Sequence, residues 1–308
     1  MSYAGPEFES PQPRRPRRRP LTVALAVLVP GALLGWLVHA GVSGAADEGS
    51  APAGSGVAAS PTAGTALVPP ALTSNGADAK GLGATPLRGK VIVIDPGHNL
   101  TNFRHTAEIN RKVNIGTNRK ECDTTGTSTN SGYAEAKFTL DVAHRLRTLL
   151  EKQGATVKLT QDGDRPYGPC VDERARIGNR AKADAVVSIH ADGAAAGQRG
   201  YHVILPGRVH KGIADTRRIV APSAALGRFV AAGFGHVTGS GPSNYVGHGT
   251  GLVTRTDLGG LNLSTVPKVF IECGNMRDRK DAAQLTSGAW RQKAAQGISE
   301  GIVRFLRG

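Results

Sequence analysis

The stretch KVIVIDPGH, residues 90–98, is the part of the sequence that decides the fold. Its β-branched run from Val91 to Ile94 ends at the turn Pro96-Gly97, and this composition is typical of a strand buried in a sheet. His98 follows the turn, so the strand is expected to present an imidazole just beyond its carboxyl end.

Strands and helices alternate along the rest of the chain. Residues 132–153 show helical periodicity with a stop at Gly154, which predicts a long amphipathic helix. The other predicted strands are 155–160, 185–190, 200–206 and 267–274, and the other predicted helices are 172–183, 222–234 and 289–306. This alternation predicts an α/β fold with a sheet covered by helices on both faces. In such sheets, functional sites lie where strands end.

The first 89 residues differ in composition from the rest. Residues 1–20 hold five prolines and an arginine cluster, which predicts a basic, disordered tail. Residues 21–42 carry no charged side chain apart from His39 and are long enough to span a bilayer. They are interpreted as a transmembrane signal anchor, favoured by this length, or as the core of a cleavable signal peptide, and both interpretations predict export. Residues 43–89 are rich in Ala, Gly, Ser and Pro and predict a linker, which leaves 90–308 as a single folded domain.

The chain has a formal net charge of +14 over 308 residues. Residues 1–89 carry seven basic and five acidic side chains and contribute +2, so the remaining +12 belongs to residues 90–308. A basic domain favours an anionic partner. Aromatic residues are only 5% of the chain, and export would separate it from nucleic acid, so nucleic acid is not the expected partner.

Four ionisable residues lie where predicted elements begin or end. His98 follows the first strand, His190 closes the strand 185–190, Glu272 lies near the end of 267–274, and Glu135 lies near the start of the long helix. Two imidazoles and one carboxylate are a common zinc-binding set, and a second carboxylate can transfer a proton. No HExxH motif is present, and periodicity leaves Glu135 and Asp192 as alternatives for the carboxylate ligand.

Several blocks of this sequence resemble one known family in their order along the chain. The blocks are VIVIDPGHN at 91–99, GYAE at 132–135, SIHAD at 188–192 and PKVFIECG at 267–274. Together they resemble the zinc-dependent N-acetylmuramoyl-L-alanine amidases of the cell-wall type, including single-domain actinobacterial members. The resemblance covers nearly all of residues 90–308.

This resemblance implies both a fold and a reaction. It implies a mixed twisted sheet flanked by helices, of the phosphorylase/hydrolase-like type. It also implies that His98, Glu135 and His190 bind one Zn²⁺ ion and that Glu272 is the catalytic carboxylate. The substrate would be peptidoglycan or muropeptides, cut between N-acetylmuramic acid and the L-alanine of the stem peptide. The chain departs from many members just after His98, and residues 101–131 are expected to form an extended loop.

The three cysteines have separate predicted roles. Because export places the domain in an oxidising compartment, Cys122 and Cys170 are predicted to form a disulfide. Cys273 follows Glu272 on a predicted strand, so alternation should turn it to the opposite face as a small core residue.

Two other functions stay open on the sequence alone. One is a non-catalytic cell-wall-binding or regulatory protein, which the complete set of ligand candidates and Glu272 disfavours. The other is a different extracytoplasmic zinc peptidase. The expected molecule is a monomeric extracytoplasmic hydrolase, anchored to the membrane by residues 21–42 or secreted to the cell wall.

Overall fold

The computed structural model describes residues 85–308. The predicted tail 1–20, the predicted membrane segment 21–42 and most of the predicted linker 43–89 lie outside the described residues. Between residues 85 and 308, no helix combines the length and apolarity needed to cross a bilayer.

Every strand and helix predicted between residues 90 and 308 is present, with shifted ends. The strands are β1 (Val91–Pro96), β2 (Lys112–Asn114), β3 (Arg119–Glu121), β4 (Thr156–Leu159), β5 (Ala185–Asp192), β6 (His202–Pro206), β7 (His210–Lys211), β8 (Ala214–Asp215), β9 (Leu252–Arg255) and β10 (Lys268–Asn275). The helices are α1 (Thr106–Ile109), α2 (Glu135–Lys152), α3 (Val171–Arg180), α4 (Val220–Thr238), α5 (Gly259–Asn262), α6 (Arg279–Thr286) and α7 (Gly288–Arg307).

A mixed six-stranded sheet organises the molecule, in the order β4-β1-β5-β10-β6-β9. Strands β4, β1, β5 and β10 are parallel, whereas β6 runs antiparallel to β10 and carries β9 parallel to itself. Glu272 of β10 lies opposite His190 of β5 on one side and His202 of β6 on the other. Because directly paired residues point to the same face of a sheet, these three side chains form one row.

Helices cover both faces of this sheet. The larger core joins one face, including Ile94, Val187 and Ile271, to helices α2, α4 and α7. On the opposite face, Val93 and Phe270 belong to smaller clusters that involve α3 and α5. The predicted fold, a mixed α/β sheet flanked by helices on both faces, is confirmed.

Alternation along β5 and β10 separates apolar from polar side chains. Ile189 and Ile271 point into the larger core, so their neighbours His190 and Glu272 point to the face covered by α3 and α5. Cys273 belongs to the larger core, as its predicted orientation requires.

A buried group of charges lies on the polar face, behind the ends of the strands. Asp95 accepts hydrogen bonds from Arg174 at 2.8 Å and from Lys268 at 3.0 Å, and both pairs are almost fully buried. Burial alone would raise the pKa of Asp95, but the charges of Lys268 and Arg174 hold it well below its usual value.

Residues 101–131 are more structured than the expected extended loop. They contain α1 and the hairpin formed by β2 and β3, because Val113 and Ile115 pack against Cys122, Cys170 and Val171 in a small separate cluster. The predicted disulfide Cys122–Cys170 is present and ties this segment to the start of α3 across 48 residues. Cys273 is a buried free thiol.

Removing the disulfide should destabilise the domain. For a closed loop of this length, chain entropy gives a loss of about 4 kcal/mol in the free energy of unfolding. We therefore expect the C122S/C170S double variant to unfold at lower urea concentration than the wild type, with Cys273→Ala as the control that removes a sulfur but keeps the bridge. A loss no larger than that of the control would contradict this expectation.

Removing Lys268 should destabilise the domain, because the buried charge of Asp95 would lose one of its two cationic partners. The variant Lys268→Met leaves a buried carboxylate with one cation fewer, so we expect the free energy of unfolding to fall by about 3–5 kcal/mol at neutral pH. The pKa of Asp95 is lower in the folded than in the unfolded state. Its charged form therefore stabilises the wild type fully above the unfolded pKa of about 3.9, and this contribution to the free energy of unfolding shrinks as the pH falls further.

Urea titrations at pH 7 and pH 3 measure this dependence, with the exposed Lys293→Met as the control. A loss of stability that is equal at both pH values would show that the contact with Asp95 is not its cause.

Candidate metal centre

Three elements bring the proposed ligands together at the carboxyl ends of the parallel strands. The turn after β1 carries His98, β5 carries His190, and α2 begins with Glu135 because Ala134 before it is extended (φ −73°, ψ 142°). Donor atoms of all three residues lie within 4.8 Å of one another. In the described part of the chain, the structure thus joins two imidazoles and one carboxylate that are 37 and 55 residues apart in sequence.

The carboxylate of Glu135 lies between the two imidazoles. Its Oε1 atom is 3.1 Å from Nε2 of His98 and 3.0 Å from Nδ1 of His190. The two rings meet edge to face with their centroids 5.0 Å apart. All three side chains are buried, with side-chain exposures of 4% or less.

Backbone groups hold this carboxylate in place. Glu135 Oε2 accepts a hydrogen bond from the amide of Thr127 at 2.9 Å, and Oε1 accepts one from the amide of Ala191 at 3.2 Å. Gly97 leaves room for the cluster, because a Cβ atom there would lie 2.3 Å from the His190 ring. Gly126 does the same at φ +74°, where a Cβ would lie 2.7 Å from the His98 ring.

The pKa shifts show that the cluster favours charge on Glu135. Burial raises the pKa of Glu135, but His98 and His190 hold it well below its usual value. Burial lowers the pKa of His98, yet the carboxylates of Glu135 and Asp123 raise it to about 9. Burial lowers the pKa of His190, which favours its neutral form.

These residues fit a zinc ion. His98 Nε2 is buried and has no hydrogen-bond partner among residues 85–308, although it faces Glu135 at 3.1 Å. Ligand atoms of a tetrahedral zinc site with bonds of about 2.0–2.1 Å lie roughly 3.3 Å apart, close to the 3.0 and 3.1 Å found here. A cation at this position would also compensate the buried negative charge of Glu135.

Glu272 is placed beside the cluster without belonging to it. It is fully buried next to His190 in the sheet register, and neither carboxylate oxygen has a hydrogen-bond partner in the described part of the chain. Burial, reinforced by the charges of Asp192 and Glu135, raises its pKa well above the usual value. A carboxylate with this environment is suited to accepting and returning a proton.

The structure separates the two carboxylates that the sequence left as alternative ligands. Asp192 is not part of the three-residue cluster found among the described residues. Its Oδ2 accepts a hydrogen bond of 2.7 Å from the hydroxyl of Tyr245, and burial raises its pKa to about 6. Sequence reasoning missed Tyr245, since the segment between α4 and β9 has no periodicity that would assign it a position.

A cavity of about 560 Å³ opens next to the cluster. Gly126 and Thr127, which contact His98 and Glu135, form part of its wall. Exposed Leu100 and Phe103 give it apolar surface and Arg277 gives it a positive charge. The cavity thus lies against the backbone that supports the cluster, and its lining does not include His98, Glu135, His190 or Glu272.

Comparison with known proteins identifies relatives of the same kind. A family model described as N-acetylmuramoyl-L-alanine amidase matches residues 92–304. The chain is 40% identical over 226 residues to the N-acetylmuramoyl-L-alanine amidase Rv3717 of Mycobacterium tuberculosis, an alignment that covers 72% of this chain and 90% of that relative. It is 27% identical to the probable cell wall amidase LytH of Staphylococcus epidermidis, over 73% of this chain and 61% of LytH.

A solved structure agrees with these sequence matches. The N-acetylmuramyl-L-alanine amidase Ami1 from Mycobacterium smegmatis superposes with a TM-score of 0.65 and 37% sequence identity, over 71% of this chain and 98% of that one. The family match over more than half of the chain and the relative at 40% identity show that this chain belongs to the N-acetylmuramoyl-L-alanine amidase family.

Proposed function

We propose that this protein is a zinc-dependent peptidoglycan hydrolase that cleaves the amide bond between N-acetylmuramic acid and the L-alanine of the stem peptide. His98, Glu135 and His190 would hold one zinc ion, and Glu272 would be the catalytic carboxylate. The strongest support is one observation: three buried donor groups converge within 4.8 Å, and beside them in the sheet register lies the carboxylate of Glu272, which has no hydrogen-bond partner among residues 85–308.

Each residue has a distinct task in this reaction. A zinc ion at the cluster supplies Lewis acidity, which acidifies water and polarises a carbonyl oxygen. Glu272 accepts a proton from the attacking water and delivers it to the amine of L-alanine as the amide bond breaks. Burial and the charges of Asp192 and Glu135 raise the pKa of Glu272 and so favour its proton-carrying form, and a cation bound at the neighbouring cluster would oppose that shift.

The cell-wall relatives support an extracytoplasmic site of action. We propose that residues 21–42 anchor the protein to the membrane or direct its secretion to the cell wall, and that the catalytic domain acts as a monomer. The partner is then peptidoglycan or its muropeptide fragments, and the domain's excess of +12 over residues 90–308 suits an anionic wall.

Substitutions should separate zinc binding from catalysis. Glu272→Gln keeps the shape of the side chain but cannot accept the proton, so we expect one bound zinc per chain and a loss of turnover of at least about 10²-fold. His98→Ala removes a ligand, so it should lose both zinc and activity. Glu300→Gln, on the partly exposed surface of α7, is the matched control and should keep both.

Elemental analysis of the dialysed proteins and the rate of muropeptide hydrolysis measure the two effects. Equal loss of zinc in Glu272→Gln and His98→Ala would refute the division of roles between the two residues.

The products of the reaction identify the bond that is cut. Digestion of muropeptides by the purified full chain should release stem peptides that begin with a free L-alanine amine, together with intact N-acetylmuramic acid. Mass spectrometry of the products checks this, with the Glu272→Gln protein as the blank. Cleavage within the stem peptide would instead identify a peptidase, and zinc binding without any cleavage would favour a wall-binding protein.

A further inference from the structure

The backbone of His98 is held in a conformation that it would not adopt alone. Its φ of 64° lies in the left-handed region, which is unfavourable for a residue other than glycine unless its surroundings impose it. Two groups hold its carbonyl: Arg174 Nη2 donates to it at 2.8 Å and Gln161 Nε2 donates at 3.2 Å. Arg174 also binds the carbonyl of Pro96 at 2.6 Å, so one guanidinium spans the turn on which His98 sits.

The imidazole ring of His98 is held by contacts of its Nδ1 atom. Nδ1 lies 3.1 Å from the carbonyl oxygen of Thr124, and the nearer carboxylate oxygen of Asp123 is 3.6 Å away. The Thr124 carbonyl and the Asp123 carboxylate can only accept a hydrogen bond, and both therefore favour a proton on Nδ1, whereas the Thr124 hydroxyl, 3.2 Å away, can serve as donor or acceptor. Nε2, the atom that faces Glu135, is therefore the nitrogen that is left to bind a metal.

Asp123 is linked to the Thr124 carbonyl, the nearest acceptor to His98 Nδ1, through the side-chain amide of Asn102. Oδ1 of Asp123 accepts a hydrogen bond from the Thr124 amide at 2.8 Å, which orients the peptide that follows. Its Oδ2 accepts hydrogen bonds from Arg174 Nη2 at 3.0 Å and from Asn102 Nδ2 at 3.1 Å, and the same Asn102 amide binds the Thr124 carbonyl at 2.7 Å. Asp123 is 5% exposed, so these contacts are shielded from water.

Arg174 thereby joins the two supports of His98, since the same Nη2 atom reaches the His98 carbonyl and the Asp123 carboxylate. We propose that Asp123 is a positioning residue of the metal centre. Together with Arg174, it keeps the proton on Nδ1 of His98 and keeps Nε2 directed at Glu135. This inference rests on the proposed zinc site.

A conservative substitution tests this role. Asp123→Asn keeps the size of the side chain but removes its charge and places a donor opposite Arg174 or Asn102. We expect the zinc dissociation constant of the full chain, measured by competition with a chromophoric chelator, to rise about 10- to 100-fold. Asp141→Asn is the matched control: Asp141 also pairs with two arginines, Arg145 and Arg291, but lies on α2 away from His98.

Two outcomes of this comparison contradict the role. If both variants lose similar thermal stability and zinc affinity stays within about twofold of the wild type, Asp123 is only structural. If the wild type itself binds no zinc, the metal assignment fails and this inference fails with it.

A measurement on the wild type keeps the test independent of how well Asp123→Asn folds. Long-range ¹H–¹⁵N spectra of the zinc-loaded full chain should show His98 protonated at Nδ1 and coordinated through Nε2. Coordination through Nδ1 would overturn the proposal even if zinc binds tightly.

Discussion

The whole site depends on a carboxylate buried between two imidazoles. Glu135 has no exposure to solvent, keeps its charge, and lies 3.0 and 3.1 Å from nitrogens of His190 and His98. Such a charge is costly to bury without compensation, so the local structure is arranged around it. The start of α2 and the amides of Thr127 and Ala191 place that group, and the missing side chain at Gly97 leaves room for the His190 ring beside it.

The sheet explains why the other functional residues gather at the same place. Parallel pairing of β1, β5 and β10 aligns their carboxyl ends, so His190 and Glu272 become direct neighbours and the turn after β1 lies above them. Alternation then sends polar side chains to one face and apolar ones to the larger core. Behind the site, Asp95, Lys268 and Arg174 fill that polar face with paired charges, and Arg174 extends from this group to the backbone of His98.

Strong local patterns made the main elements predictable from sequence. The β-branched runs of β1, β5 and β10 are buried on both faces, and apolar residues recur at helical spacing over the whole length of α2. In these elements the local preference of the sequence and the burial of the side chains favour the same structure. The helix begins at Glu135 and not at residue 132 because Gly132 has a φ of 86° and Ala134 is extended. The hairpin of β2 and β3 was missed because its strands are three residues long and mostly charged, and a small cluster around the disulfide stabilises it.

The site was predictable only in part. The resemblance to a family supplied the set His98, Glu135, His190 and Glu272, whereas periodicity could not choose between Glu135 and Asp192. The contacts of Asp123 with His98 and Arg174 join residues 25 and 51 positions apart, and no local pattern encodes such a contact. Tyr245 was missed for the same reason.

Anomalous X-ray diffraction at the zinc absorption edge tests the central claim most directly, with crystals of the zinc-loaded protein. We expect one anomalous peak within about 2.0–2.2 Å of His98 Nε2, a Glu135 oxygen and His190 Nδ1, with Glu272 nearby but not bound to the metal. A peak bound by Asp192 in place of Glu135, or no peak at this cluster, would contradict the account.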